Sequence, residues 1–212
     1  MYGINDFYEF ESDKRNPRKG SVEGAKLNPR RHSYIKHAAL ICASLIILSS
    51  LATLNPTNIL GMAIMMFFSY FYSAPPLRLK TKPPLDSFSN GFIYVLGPVL
   101  MGFGFGKSIL DVPLKGYLIV LGAMGVHAFS TIMDYTADKK AGDRTFAVTF
   151  GKRAAALFAL TTLLVALIFG NFHTPAIRYF IITGCLFSFV SFLYPSDSVA
   201  GFFVKFMYAG FV

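Results

Sequence analysis

A chain of 212 residues with 54% hydrophobic residues, only 15% charged residues and a mean hydropathy of +0.51 is not a water-facing globule. Its 23 Phe and 11 Tyr exclude an intrinsically disordered polymer, which requires low hydrophobicity rather than a surplus of aromatic surface. A net charge of +9 does not mark a nucleic-acid partner, because the cations fall in connections between apolar runs.

The chain opens with NDFYEFESD, Asn5 to Asp13, with no basic stretch and apolar run before it, so no secretory signal is expected. Asp6, Glu9 and Asp13 recur at spacings that place them on one face of a helix. A basic stretch follows. Its Lys14, Arg15, Arg18, Lys19, Arg30 and Arg31 read as topology signals or anionic-lipid contacts. A spanning helix needs roughly 20 mostly apolar residues. Stretches of this kind are expected over Ala38–Leu54, Asn58–Ala74, Ser89–Gly106, Leu114–Met133, Ala154–Phe172 and Ala176–Tyr194, with a seventh over Val199–Val212 that carries Lys205. Gly97, Gly102, Gly104 and Gly106 are expected to let helices approach closely, and Gly91, Gly97, Pro98 and Pro113 to bend or end them. Cys42 and Cys185 each lie within an apolar run and read as small buried hydrophobes.

If the spans cross alternately, the connections before Ala38, over Pro75–Phe88 and over Asp134–Arg153 share one side. They hold 16 of the 20 Lys and Arg, which makes that side cytoplasmic by the positive-inside rule. The turns at Asn55–Thr57 and Gly170–Thr174 then face outward.

The middle connection, YFYSAPPLRLKTKPPLD, holds Arg78, Lys80 and Lys82 in a proline-stiffened loop. The third opens with DYTADKKAGDRT, in which Asp134 and Asp138 lie one helical turn apart. Two acidic clusters converging across a bundle would repel unless a cation neutralised them, and oxygen ligands of this kind suit Mg²⁺ bridging to a phosphate. Cations in the loop between them point to a diphosphate, since Arg can fork onto phosphate oxygens while Lys acts as a point charge.

Taken in order, NDxxExxxD, YSAPPLRLK and DxxxDxxAG within an apolar helical chain resemble the motifs of the UbiA superfamily of intramembrane prenyltransferases. The resemblance covers almost the whole chain. It implies an all-α, multi-pass transmembrane bundle in one domain over residues 1–212, with about seven of the family's nine helices. The first helix and most of the second are expected to be missing, and the chain alone to be inactive or poorly folded. Carried over by position, the resemblance gives Asp6, Glu9, Asp13, Asp134 and Asp138 to Mg²⁺, with Glu9 standing where an aspartate is more usual. It gives Asn5, Arg78, Lys80, Lys140, Arg144 and Tyr72 to an isoprenyl diphosphate, and Asp6, Asp13, Asp134 and Asp138 to catalysis.

The implied activity is Mg²⁺-dependent transfer of an isoprenyl group to a lipophilic acceptor inside the cell membrane, from an active site on the cytoplasmic side. The run DKRNPRKGSVEGAKL after the first motif looks like the carotenoid branch, the lycopene elongases. The alternatives are an aromatic quinone precursor or geranylgeranylglyceryl phosphate as acceptor. A carrier or a non-catalytic isoprenoid binder is a further alternative; a carrier should place ionisable groups near mid-membrane, whereas these lie at one edge. The allylic cation needs an apolar chamber and aromatic faces, for which Tyr70, Tyr72 and Tyr135 are candidates. His127 reads as a packed histidine bonded to a carbonyl.

Overall fold

A computed structural model describes residues 2–10 and 29–209, and all regular structure among them is helical. Asp13 and the basic stretch from Lys14 to Lys26 lie outside the described residues. Helix α1 (Tyr2–Tyr8) carries Asn5 and Asp6 of the first motif and packs on α2 (His32–Ala52). There Phe7 meets His32 edge-on, and the Lys36 ammonium lies 3.8 Å from the Phe7 ring centroid. Next come α3 (Pro56–Phe71), α4 (Leu85–Gly91) and α5 (Gly97–Phe103), the last two joined by one π-helical turn, Phe92–Leu96. Then follow α6 (Leu114–Ala141), the short α7 (Phe146–Phe150), α8 (Lys152–Phe169), α9 (Pro175–Leu193) and α10 (Asp197–Ala209).

Four stretches, Pro29–Ala52, Leu114–Ala141, Lys152–Phe169 and Pro175–Leu193, are long and apolar enough to cross a membrane. Helix α3 is shorter but apolar. The expected third span differs in detail, because the π turn just before Pro98 interrupts a run that begins at Leu85. The expected seventh segment begins two residues earlier than its sequence reading, at Asp197.

Helix α6 is the spine, packing against α4, α8 and α10, while α8 in turn packs on α9. Small side chains allow this. Ala128, Ala155, Ala156, Ala159 and Ala200 are fully buried around Ile132 and Phe146, and a Cβ on Gly125 would come within 3.1 Å of the Ala159 Cα. In an apolar solvent, close backbone approach and dispersion replace the hydrophobic effect as the force between helices. A second cluster gathers Leu118, Leu163, Ala166, Phe172 and Ile181.

Gly97 does admit α3, since a Cβ there would meet the Met65 Cβ at 2.7 Å, and Gly104 lies against Asn58. Gly102 and Gly106 face open space, so their close-approach role is not realised. Cys42 is exposed on α2 and Cys185 is half-buried, both as free thiols. The expected burial of Cys42 therefore fails: an apolar run does not distinguish a lipid-facing position from a packed one.

Hydrogen bonds sort the connections onto two ends. At one end Asn55 Nδ2 donates to the Lys107 carbonyl at 3.2 Å, tying the α2–α3 turn to the loop after α5. At the other, Lys80 pairs with Glu9, Asp86 accepts from Phe146, and Lys152 pairs with Asp197. The first two of these contacts join the three connections that the sequence reading puts on one side.

Candidate functional site

The first motif reaches the site at the end of α1. Glu9 lies just beyond the helix, yet its N–H still donates to the Asn5 carbonyl at 2.9 Å. Its side chain is 9% exposed. Burial of a lone carboxylate would be costly, and three partners offset it. Ser73 Oγ donates to Oε1 at 2.6 Å, Lys80 Nζ lies 2.8 Å from Oε2, and the Asn5 amide, assigned with its nitrogen toward the carboxylate as the hydrogen bonding requires, donates to Oε2 at 2.7 Å. The first motif and the loop motif are thus bound directly, and Lys80, expected on a diphosphate, already serves Glu9.

The loop is held at its base. The Lys80 N–H donates to the Tyr72 carbonyl at 3.1 Å, and Arg78 adopts a left-handed backbone, φ 43°, before the single turn Leu79–Thr81. Leu79 is buried, whereas Arg78 and Lys82 are exposed.

The second motif lies on the last turns of α6. That helix stops at Gly142, whose φ of 79° suits glycine and whose N–H caps the final turn, while the Asp143 N–H donates to the Asp138 carbonyl at 2.9 Å. The glycine of DxxxDxxAG is therefore a helix stop that turns the chain back beside its own aspartate. Thr145 Oγ1 donates to Asp138 Oδ2 at 3.0 Å. Asp138 lies in the electrostatic field of Asp134, Asp143 and Lys80, and the Tyr72 hydroxyl in that of Glu9, Asp86 and Asp138. Lys80 and Tyr72 are where the two acidic motifs converge. Lys140 and Arg144 are exposed.

Several residues at this end escaped the sequence reading. Asp86, 1% exposed, accepts from the Ser87 N–H and the Phe146 N–H, each at 2.8 Å. It thereby supplies the acceptor that the start of α7 lacks and fixes the segment that carries Thr145. An acid behind two prolines at a helix start is a local capping signal, but its partner lies 60 residues away. Ser73, Ser87, Asn90 and Thr145 gave no signal at all. Of the aromatic candidates, Tyr135 is covered by the ammonium groups of Lys152 at 4.5 Å and Lys139 at 5.6 Å, and Tyr70 meets Tyr8 at an exposed position. Tyr72 points inward. Its hydroxyl lies 3.2 Å from His127 Nε2, and His127 Nδ1 lies 3.1 Å from Ser87 Oγ, so the histidine is held by two hydroxyls rather than by the expected carbonyl.

Beyond this polar layer opens a cavity of about 620 Å³. Its wall is mainly apolar, including Val126, Phe129, Leu163, Ile181 and Phe187, with Asn90, His127 and Ser130 among the few polar groups. That volume lies within the range of about 300–1,000 Å³ usual for small-molecule sites.

Among the described residues no three His, Cys, Asp or Glu side chains are grouped as metal ligands. The donor chemistry nonetheless fits Mg²⁺. Asp134 and Asp138 are hard oxygen donors one turn apart, and Mg²⁺ characteristically uses one or two carboxylates together with water and substrate phosphate. Glu9, satisfied by Lys80, Ser73 and Asn5, fits that role less well than the sequence predicted.

The profile of the UbiA prenyltransferase family matches residues 1–208. A lycopene elongase/hydratase of Haloarcula japonica is 34% identical over 173 residues, which are 81% of this chain and 57% of the relative. A lycopene elongase/hydratase of Corynebacterium glutamicum is 34% identical over 185 residues, 83% of this chain and 62% of the relative. The chain therefore spans only about three fifths of these curated relatives. A solved UbiA homologue from Archaeoglobus fulgidus, bound to DMAPP and Mg²⁺, superposes with a TM-score of 0.61 at 21% identity, covering 98% of this chain and 81% of that one.

Proposed function

Since the chain belongs to the UbiA prenyltransferase family and is an integral membrane protein, we propose that it transfers an isoprenyl group from an allylic diphosphate to a lipophilic acceptor, with lycopene as that acceptor. The observation that carries this reading is the convergence of both acidic motifs on Lys80 and Tyr72 beside an apolar cavity. Charge gathered at one edge of a hydrophobic chamber matches a substrate with a charged head and an apolar tail, and it is the wrong layout for a mid-membrane carrier site.

In this reading Asp134 and Asp138, with Asp6, hold Mg²⁺ against the diphosphate. When bound there, Mg²⁺ would supply positive charge that neutralises the leaving group and lowers the cost of breaking the allylic carbon–oxygen bond. Lys80 contributes a fixed positive charge while holding Glu9, and the exposed Arg78, Lys140 and Arg144 serve to attract the incoming diphosphate. Asn5 and Ser73 orient Glu9. Once the bond breaks, the cavity excludes water, and the face of the Tyr72 ring stabilises the allylic cation until a carbon–carbon double bond attacks. The carotenoid assignment draws its support from relatives named lycopene elongase/hydratase. The cytoplasmic placement of the charged end, in the cell membrane, rests on the distribution of Lys and Arg.

The test is to supply membranes containing the protein with labelled dimethylallyl or geranylgeranyl diphosphate, together with lycopene, a hydroxybenzoate or geranylgeranylglyceryl phosphate, and to weigh the products. Prenylated lycopene is expected. Prenylation of the hydroxybenzoate or the glyceryl phosphate alone would overturn the acceptor, and failure to cleave any allylic diphosphate would overturn the transferase reading itself.

A further inference from the structure

We propose that His127 is the proton acceptor that ends the transfer, a role that rests on the carotenoid reading above. When the double bond of the acceptor attacks the allylic cation, the new carbon–carbon bond leaves a tertiary cation on the neighbouring carbon. A neutral product requires that a proton leave. One C–H bond beside the cation breaks, its electron pair closes a new double bond, and the proton passes to an imidazole nitrogen. If a water adds instead, its oxygen bonds to the cation and its surplus proton goes to the same ring. The diphosphate departs with the carbon–oxygen electron pair, so charge balances across the site.

Three observations support this assignment. His127 lies on the cavity wall, where the described lining residues include no carboxylate and no amine, so its imidazole is the one strong proton acceptor among them, and a proton reaches it through the Tyr72 or Ser87 hydroxyl that each nitrogen faces. Its nitrogens face Tyr72 Oη at 3.2 Å and Ser87 Oγ at 3.1 Å. A hydroxyl both donates and accepts, so the pair can serve either neutral tautomer and can turn to accept from both nitrogens once the ring is charged. A carbonyl partner could not adapt in that way. Finally, His127 lies two turns before Asp134 on the same helix, which sets it deeper in the bundle than the leaving group and nearer the carbon that must lose its proton. A proton beside a carbocation is acidic enough for even a desolvated imidazole to take.

The experiment uses the full protein in membranes with dimethylallyl diphosphate and lycopene, and it reads prenylated carotenoid formed per diphosphate released. His127→Gln keeps a donor and an acceptor but cannot take the proton; His127→Ala leaves a space that added imidazole can fill. Binding of a non-ionising thiolo-diphosphate analogue reports whether the site is intact. The expected result is at least a tenfold fall in product per diphosphate for H127Q, analogue affinity within about threefold of wild type, and recovery of coupling in H127A on adding imidazole. Wild-type coupling in H127Q, joint loss of coupling and analogue binding in both variants, or absence of imidazole rescue would each overturn the proposal. If the unaltered protein cleaves the donor but elongates no lycopene, the acceptor reading has failed and this role falls with it.

Discussion

The two ends of the bundle are both rich in polar side chains, yet they use them differently. At the Asn55 end the polar groups close on nearby backbone or on one partner. Ser50 Oγ donates to Asn58 Oδ1 at 2.6 Å, Asn58 Nδ2 donates to the Met101 carbonyl at 2.7 Å, and Ser108 and Asp111 cap a single helical turn. At the Glu9 end, Glu9 pairs with Lys80 from the following loop, Asp86 accepts from the Phe146 N–H 60 residues on, and the Tyr72 hydroxyl lies in the electrostatic field of Glu9, Asp86 and Asp138. Closed local caps build turns. Unlike charges gathered from distant segments are costly to assemble, and such assemblies mark sites that bind something charged.

That contrast breaks or sharpens under substitution. The largest effect is expected for Asp138→Ala, which removes an acid of the proposed diphosphate site together with the acceptor of Thr145: release of diphosphate should fall by about 10²–10³-fold, measured with labelled donor. Lys80→Ala comes next, because it strands the buried Glu9 carboxylate. A loss of about 3 kcal/mol in stability is expected, read by thermal unfolding in detergent, together with weaker donor binding. Asn58→Ala strikes the opposite end and deletes one buried and one part-buried hydrogen bond; about 2 kcal/mol of stability should go, while turnover per folded molecule stays unchanged. A large turnover defect in N58A would erase the distinction between the two ends.

The smallest effect belongs to Asp111. Hydrogen bonds from the Ser108 N–H and hydroxyl hold its carboxyl below the ordinary aspartate value of 3.8. A depressed folded value means that the stabilisation is fully present above the ordinary, unfolded value and is lost as the pH falls through the lower, folded one. Asp111→Asn should therefore remove a slight acid-side loss of stability and leave activity untouched.

Much of this was legible in the chain itself. Apolar runs located the spans, because length and composition suffice to mark a membrane helix, and the spacing of Asp134 and Asp138 on one helix needed only the helical period. The glycine of the AG dipeptide showed its physical role only in three dimensions, as the left-handed stop at Gly142. Pairings across tens of residues were out of reach. Nothing local joins Ser73 to Glu9 or Asp86 to the Phe146 N–H, since both depend on how α1, α4 and α7 pack. Faces were equally hidden: Cys42 and the four glycines from Gly97 to Gly106 sit in apolar surroundings whichever way they point, so sequence cannot tell lipid from neighbouring helix.

The claim on which the account depends is that the two acidic motifs serve one bound diphosphate. A direct test is the affinity of a non-ionising allylic thiolo-diphosphate, titrated with and without Mg²⁺, for the unaltered protein, Asp6→Asn, Asp138→Asn and the double variant. Groups that share one ligand are strongly non-additive. The expected result is that Mg²⁺ tightens binding, that either substitution abolishes this gain, and that the double variant is no weaker than the singles. Binding indifferent to Mg²⁺, or effects of the two substitutions that simply add, would contradict it.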